Sequence, residues 1–198
     1  MTALIALYSP YPQSGKGTFA KGLAAVVPGT VVLKFADAMR EVVIPFVAPF
    51  FDGGEAEVRE WLEDERKDNK LIPTLGVTLR HMLQSLGTAW GRKLIHPDLW
   101  VLIAREALRR ARTRSLVWGG SPDVKLVVFD DLRMENEYSM LLKEGATMIR
   151  IERPDSPPTK AHESNAQLEG LSFDFHIRNE GMDDLRRKAK TVAEQLGL

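Results

Sequence analysis

The sequence contains no cysteine. Disulfide scaffolds, thiolate metal sites and cysteine nucleophiles are therefore excluded, and a reducing compartment is compatible. There is also no excess of charge. Lys+Arg and Asp+Glu each number 27, for a formal net charge of zero. A chain that lives on polynucleotide usually carries a basic surplus, so a nucleic-acid partner is not expected. No apolar run approaches bilayer-spanning length, and the N-terminal MTALIALYSP lacks the basic and long apolar regions of a signal peptide. The expectation is a soluble cytoplasmic protein with no membrane partner. Its 198 residues, 44% hydrophobic and 27% charged, suit one globular domain with a sizeable core.

Apolar runs alternate with helical periodicities. Residues 3–8 (ALIALY), 30–35 (TVVLKF), 124–129 and 146–151 read as buried strands, and 175–177 as a short fifth. Helices are expected from Lys16 to the Pro28-Gly29 stop, from Asp37 with disturbance at Pro45 and Pro49, over 76–95 and 97–114, after Asp131 to a cap at Gly145, and over 183–196. Residues 55–70 read as a charged, solvated helix whose only apolar stripe is Val58, Trp61 and Leu62. Residues 115–123 read as a loop, and 152–170, polar and proline-rich, as an extended loop or lid. Such alternation indicates an α/β fold with a mostly parallel sheet. Ligands in such sheets gather at the carboxyl ends of the strands, where the chemically loaded segments fall.

The first of these segments is SPYPQSGKGT, residues 9–18. Gln13, Ser14, Gly15, Lys16, Gly17 and Thr18 lie between a strand and a helix. Their backbone N–H groups and the Lys16 ammonium suit phosphate oxygens, and the Thr18 hydroxyl suits a phosphate or metal-bound water. The strict G-x-x-x-x-G-K-[ST] pattern is not met, because Pro10 stands at its first glycine and Gly17 separates Lys16 from Thr18.

A second anion site is expected from Asp37 and Arg40, one turn apart, and from Arg80, Gln84, Thr88 and Arg92 at helical spacing. Arginine forks grip phosphate with two hydrogen bonds, and a glutamine amide can both donate to and accept from a base edge. At the third strand end Asp130 is placed as an Mg²⁺-orienting carboxylate, or Asp130 or Asp131 as a helix N-cap. Arg133 either enters the site or pairs with Glu137 on the helix surface. Arg150, Arg153, Lys160 and His162 flank the proline-rich stretch, where a lid closing on ATP needs cations. Ligation of a metal by His162 or His176 is not expected, since no His-x-x-x-His or mixed Asp/His cluster supports it.

Taken together, SGKGT at 14–18, FADAMRE at 35–41, LRHMLQSLGTAWGR at 79–92, DLW at 98–100, VVFDDLRMENE at 127–137, IRIERP at 149–154, HES at 162–164 and FDFHIRNEG at 173–181 resemble the bacteriophage deoxynucleoside monophosphate kinases, within the P-loop nucleoside monophosphate kinase group. The resemblance spans nearly the whole chain. It implies a three-layer P-loop NTPase fold, a five-stranded parallel sheet flanked by helices, in a single domain. The core would be 1–35, 115–151 and 171–198, with a monophosphate-binding region at about 36–95 and a lid at about 152–170. It further implies ATP and Mg²⁺ as cofactors, with Thr18 and Asp130 near the metal, and γ-phosphate transfer to a (deoxy)nucleoside 5′-monophosphate. Lys16, Asp130 and Arg133 would be the catalytic groups. Gln13 through Thr18 with Arg153 would hold ATP, and Asp37, Arg40, Arg80, Gln84, Thr88 and Arg92 the acceptor. A host-cytoplasmic location and a homodimer are further expectations. The family's His-x-Ser-Glu reads HESN here, with Asn165 at the acid. The rival readings are another small-molecule kinase of dephospho-coenzyme A kinase type, for which Asp37 becomes a base, a kinase acting on a modified base in phage DNA, and a nucleotide-binding module without turnover.

Overall fold

In a computed structural model the chain is described over residues 2–117, 124–153 and 168–198. Five strands, β1 (Ala3–Tyr8), β2 (Thr30–Leu33), β3 (Leu126–Leu132), β4 (Thr147–Glu152) and β5 (Phe175–Arg178), form one sheet in the order β2-β3-β1-β4-β5. Every neighbouring pair is parallel. Leu4 to Tyr8 of β1 and Leu126 to Phe129 of β3 are all buried. Successive strand residues point to opposite faces, so unbroken burial means both faces of the sheet are covered. This is the α/β layer architecture expected from the sequence. The chain leaves β1 toward β2 on one side and reaches β4 on the other, so the carboxyl end of β1 sits at the change of direction where such sheets bind ligands.

The helices are α1 (Lys16–Val26), α2 (Asp37–Val47), α3 (Gly54–Glu63), α4 (Arg66–Asn69), α5 (Leu79–Gln84), α6 (Leu99–Val117), α7 (Glu135–Lys143) and α8 (Met182–Gln195). Two compact units result. One comprises residues 1–34 and 104–198, the other 35–103. The first unit's core joins Ile5, Leu7, Phe19, Leu23, Leu126, Val128, Ile149, Ile151, Leu185 and Val192. The second has its own core of Val43, Ile44, Val47, Phe51, Val58, Trp61, Leu62, Ile72 and Leu79.

Three local departures from the sequence reading have physical causes. The charged stretch 55–70 is not one helix but α3 and α4. Asp64 breaks it in extended backbone, with its carboxylate accepting from the Arg66 backbone N–H at 2.8 Å and from Arg66 Nε. The stretch's apolar stripe, Val58, Trp61 and Leu62, packs into the second unit's core while the charged positions between them stay exposed. The expected helix at 76–95 starts at Leu79, where the Thr78 hydroxyl caps the His81 N–H at 3.1 Å, and it widens into a π-helical segment over Ser85–Ile95. That widening accommodates a buried tryptophan. Trp100 donates from Nε1 to the Gly87 carbonyl at 2.8 Å, and a Cβ on Gly91 would stand 2.6 Å from its ring.

Candidate functional site

β1 delivers the chain to its carboxyl end at Tyr8, and α1 begins eight residues later. Between them Gln13 takes a left-handed conformation (φ 52°) and Gly15 another (φ 98°). For glutamine that conformation is uncommon and costs energy. Gly15 is required twice over. Its φ disfavours a side chain, and a Cβ there would collide with Leu185 Cδ1 and lie 2.8 Å from Asn179 Nδ2. The loop is thus clamped against the segment between β5 and α8. Asn179 does the clamping. Its amide donates to the Ser14 carbonyl at 2.8 Å, its Oδ1 accepts from the Gly181 N–H at 2.9 Å, and its own backbone N–H donates to the Glu152 carbonyl at 2.6 Å.

The consequence is an anion-ready helix start. Gly15 is the N-cap of α1 and supplies no side-chain cap, and the first turn holds no acidic residue. Phe19 is the first residue to donate into the helix, to the Gly15 carbonyl at 2.9 Å. The N–H groups of Lys16, Gly17 and Thr18 precede that bond, so the helix itself leaves them without acceptors and the helix dipole favours negative charge beside them. The Ser14 hydroxyl is buried without a hydrogen-bond partner. A donor set of this kind fits a polyphosphate.

Lys16 lies among the groups of the β3 end. Burial, then the like charge of Arg133, lowers its pKa from the ordinary 10.5 to about 8, against the opposing pull of Asp130 and Asp131. Asp130 Oδ2 stands 3.9 Å from where a Cβ on Gly17 would sit and 3.9 Å from Lys34 Nζ, which places its carboxylate over the first turn of α1. A bulge aims it there. Ala6 is opposite Phe129, but Tyr8 is opposite Leu132, so Asp130 and Asp131 together face the single residue Leu7. Bulges of this kind redirect side chains beside functional sites.

Two expectations at this strand end need correction. Neither Asp130 nor Asp131 caps the next helix, because both still belong to β3 and the N-cap is Met134. Nor do Arg133 and Glu137 form a surface pair. Glu137 is buried, and its Oε2 accepts from the backbone N–H groups of Arg133 (2.9 Å) and Met134 (3.0 Å). The Arg133 side chain is left exposed, close enough to Lys16 to act on its charge.

In the second unit Arg40 and Arg80 are both ion-paired. Arg40 Nη1 meets Glu63 Oε1, and Arg80 Nε meets Asp68 Oδ1, each at 2.6 Å. Asp37 opens α2 and is half-buried, Gln84 ends α5, Thr88 is exposed on the π-helical segment, and Arg92 is half-buried on it. Arg150 is held by Glu152 at 2.6 Å and lies 5.7 Å over the Tyr8 ring, which stacks on Phe173. Arg153 is exposed just past β4. Lys160, His162 and Asn165, with most of the expected lid, lie outside the described residues. Among the described residues, no group of three or more His, Cys, Asp or Glu forms a metal cage. No helix there is long and apolar enough to cross a membrane.

Sequence reading missed Asn179, Lys34 and Glu137 as members of this site. Only Asn179 left a signal, as a polar residue just before a glycine at a strand-to-helix junction. The other two are defined by tertiary placement.

No protein-family model matches the sequence. Over 96 residues the chain is 26% identical to the deoxynucleoside-5′-monophosphate kinase of Escherichia phage T5, a stretch amounting to 48% of this chain and 33% of that enzyme. The match therefore spans about a third of the curated relative's length. Among solved structures the chain is similar to the tunicamycin resistance protein of Deinococcus radiodurans. The TM-score is 0.51 at 19% identity, covering 100% of this chain and 97% of the other, and the likeness is one of fold.

Proposed function

We propose that this chain is a nucleotide kinase that transfers the γ-phosphoryl group of ATP to a (deoxy)nucleoside 5′-monophosphate. The observation that carries the reading is the uncapped start of α1, with Lys16 lodged between it and the Asp130–Arg133 strand end. The similarity to a phage deoxynucleoside monophosphate kinase supports the choice of acceptor.

In this reading the N–H groups of Lys16, Gly17 and Thr18 take the donor's phosphate oxygens. Lys16, with Arg133 beside it, counters the charge that spreads over the transferred group. Arg153 would add a further cation near the ATP. The Thr18 hydroxyl and, through water, Asp130 would hold Mg²⁺, an ion that commonly uses one or two carboxylates together with phosphates and water. When bound, the metal would neutralise charge on the phosphates. Arg40 and Arg80 grip the acceptor phosphate, with Asp37, Gln84, Thr88 and Arg92 available to the rest of the nucleotide. An oxygen of the acceptor phosphate forms the new bond to the γ-phosphorus, the bond to the β-bridging oxygen breaks, and ADP leaves with that electron pair. A phosphate monoester dianion is already a nucleophile, so no general base is needed.

A coupled ADP-release assay over a panel of ribo- and deoxynucleoside monophosphates tests the reading. Turnover of at least one of them, abolished by Lys16→Ala, is expected. ADP release that no member of the panel stimulates would refute it.

A further inference from the structure

The two arginines assigned to the acceptor phosphate do not stand alone. Arg40 on α2 and Arg80 on α5 are each closed by a carboxylate, Glu63 at the end of α3 and Asp68 on α4. Lys67 sits on α4 next to Asp68, and its Nζ donates to the Leu62 carbonyl at 3.3 Å. Burial lowers its pKa first, and the charges of Arg80 and Arg40 lower it further while Asp68 and Glu63 oppose them. Lys67 therefore shares one electrostatic neighbourhood with both arginines. Four elements of a single unit bring three cations and two carboxylates together.

Both ion pairs are open to solvent. The Arg40 side chain is 22% exposed and that of Glu63 68%, and Arg80 and Asp68 are 42% and 41% exposed. Ion pairs this open are each worth only about 0–1 kcal/mol. A phosphate dianion offers three oxygens and can meet several donors at once through charge-assisted hydrogen bonds. It competes well against two separate, solvated carboxylates. Lys67 has three N–H donors, and the Leu62 carbonyl takes one.

We propose that Lys67 is the third cation of the acceptor-phosphate site, and that Glu63 and Asp68 are its resident counter-ions, displaced when the acceptor's phosphate arrives. The inference rests on the assignment of Arg40 and Arg80 to that phosphate. Displacement sets the acceptor's affinity. The carboxylates keep the cations charged-paired until a multidentate dianion replaces them, and every acceptor molecule must do that work.

The test compares wild type with Glu63→Gln, Asp68→Asn, Lys67→Ala and, as a control in a neighbouring ion pair, Glu60→Gln, whose carboxylate meets Arg66. Steady-state kinetics give acceptor KM, ATP KM and kcat. Calorimetry gives direct binding of the same nucleoside monophosphates. Glu63→Gln and Asp68→Asn are expected to lower acceptor KM and Kd by roughly two- to fivefold each, the range of an exposed ion pair. Lys67→Ala is expected to raise them by roughly tenfold or more. ATP KM stays constant throughout, and Glu60→Gln matches wild type. If neutralising Glu63 and Asp68 weakens acceptor binding, the carboxylates are orienting arms and the proposal is wrong. If Lys67→Ala leaves acceptor binding unchanged, it is equally wrong. A wild type that binds a monophosphate without turning it over removes the kinase reading but leaves the three-cation site to be judged by the calorimetric ratios. A wild type that neither binds nor turns over any of them overturns both.

Discussion

At the residue scale, the chemistry turns on how the chain treats one lysine and one asparagine. Lys16 is charged at neutral pH, but burial and Arg133 have brought its pKa down to about 8. Its folded value lies below its ordinary 10.5, so the folded state binds fewer protons than the unfolded one between these limits. Lys16 therefore works against folding below pH 8, and that cost is relieved as pH rises from about 8 to 10.5. In the proposed kinase, function runs the other way, since the ammonium is the form that would hold phosphate. kcat/KM for ATP should fall as pH rises through about 8, in a pH profile measured on free enzyme. Arg133→Ala removes a like charge and should move that limb upward, whereas Asp130→Asn removes an opposing charge and should move it downward. A limb unmoved by both would detach Lys16 from these neighbours.

Asn179 acts through the loop rather than on phosphate. Its amide holds the Ser14 carbonyl, which fixes the loop whose N–H groups would meet the proposed ligand. Asn179→Asp keeps the shape but sets a carboxylate oxygen against that carbonyl. We expect ATP KM to rise at least roughly fivefold, acceptor KM to stay within twofold, and stability to drop by about 1–3 kcal/mol. Urea unfolding and two-substrate kinetics check this. A stability loss without the split between the two KM values would make Asn179 merely structural.

At the element scale, the block LQSLGTAWGR has a packing explanation for its glycines. Trp100 rests on Gly91, Met39 on Gly87, and the π-helical widening makes the room. Gly91→Ala would place a methyl 2.6 Å from the buried Trp100 ring. It should destabilise the chain by about 1–3 kcal/mol, read as a lowered denaturation midpoint with little change in ATP KM. Trp100→Phe in the same background, which trims the crowded indole, should recover part of the loss.

The strands were legible because parallel strands buried on both faces are continuous apolar runs, as Leu4–Tyr8 and Leu126–Phe129 are. β3 continues past its apolar run to Leu132 because a bulge, not periodicity, carries the two aspartates, and no local pattern announces a bulge. Asp64 was likewise hidden. Its break in the 55–70 stretch depends on a side chain bonding its neighbour's backbone, which charge patterning alone does not register.

At the scale of the whole molecule, the legible part is the order of chemistry along the chain. Strand, loop and Lys16 come first, and the aspartates of β3 join them through a parallel sheet. The illegible part is what long-range placement decides. Asn179, 165 positions from Ser14, closes the loop, and Lys34 approaches Asp130. In the second unit the arginines could be named from sequence, but their pairing with Glu63 and Asp68 could not. Acids 23 residues beyond Arg40 and 12 before Arg80 are invisible to helical spacing.

The most direct measurement follows the phosphorus. Purified protein is incubated with γ-labelled ATP, Mg²⁺ and each deoxynucleoside monophosphate in turn, and the products are separated. Label in a deoxynucleoside diphosphate, formed by wild type and absent with Lys16→Ala, is the predicted result. Label recovered only as inorganic phosphate, or only in unreacted ATP, with every acceptor would contradict a nucleotide kinase.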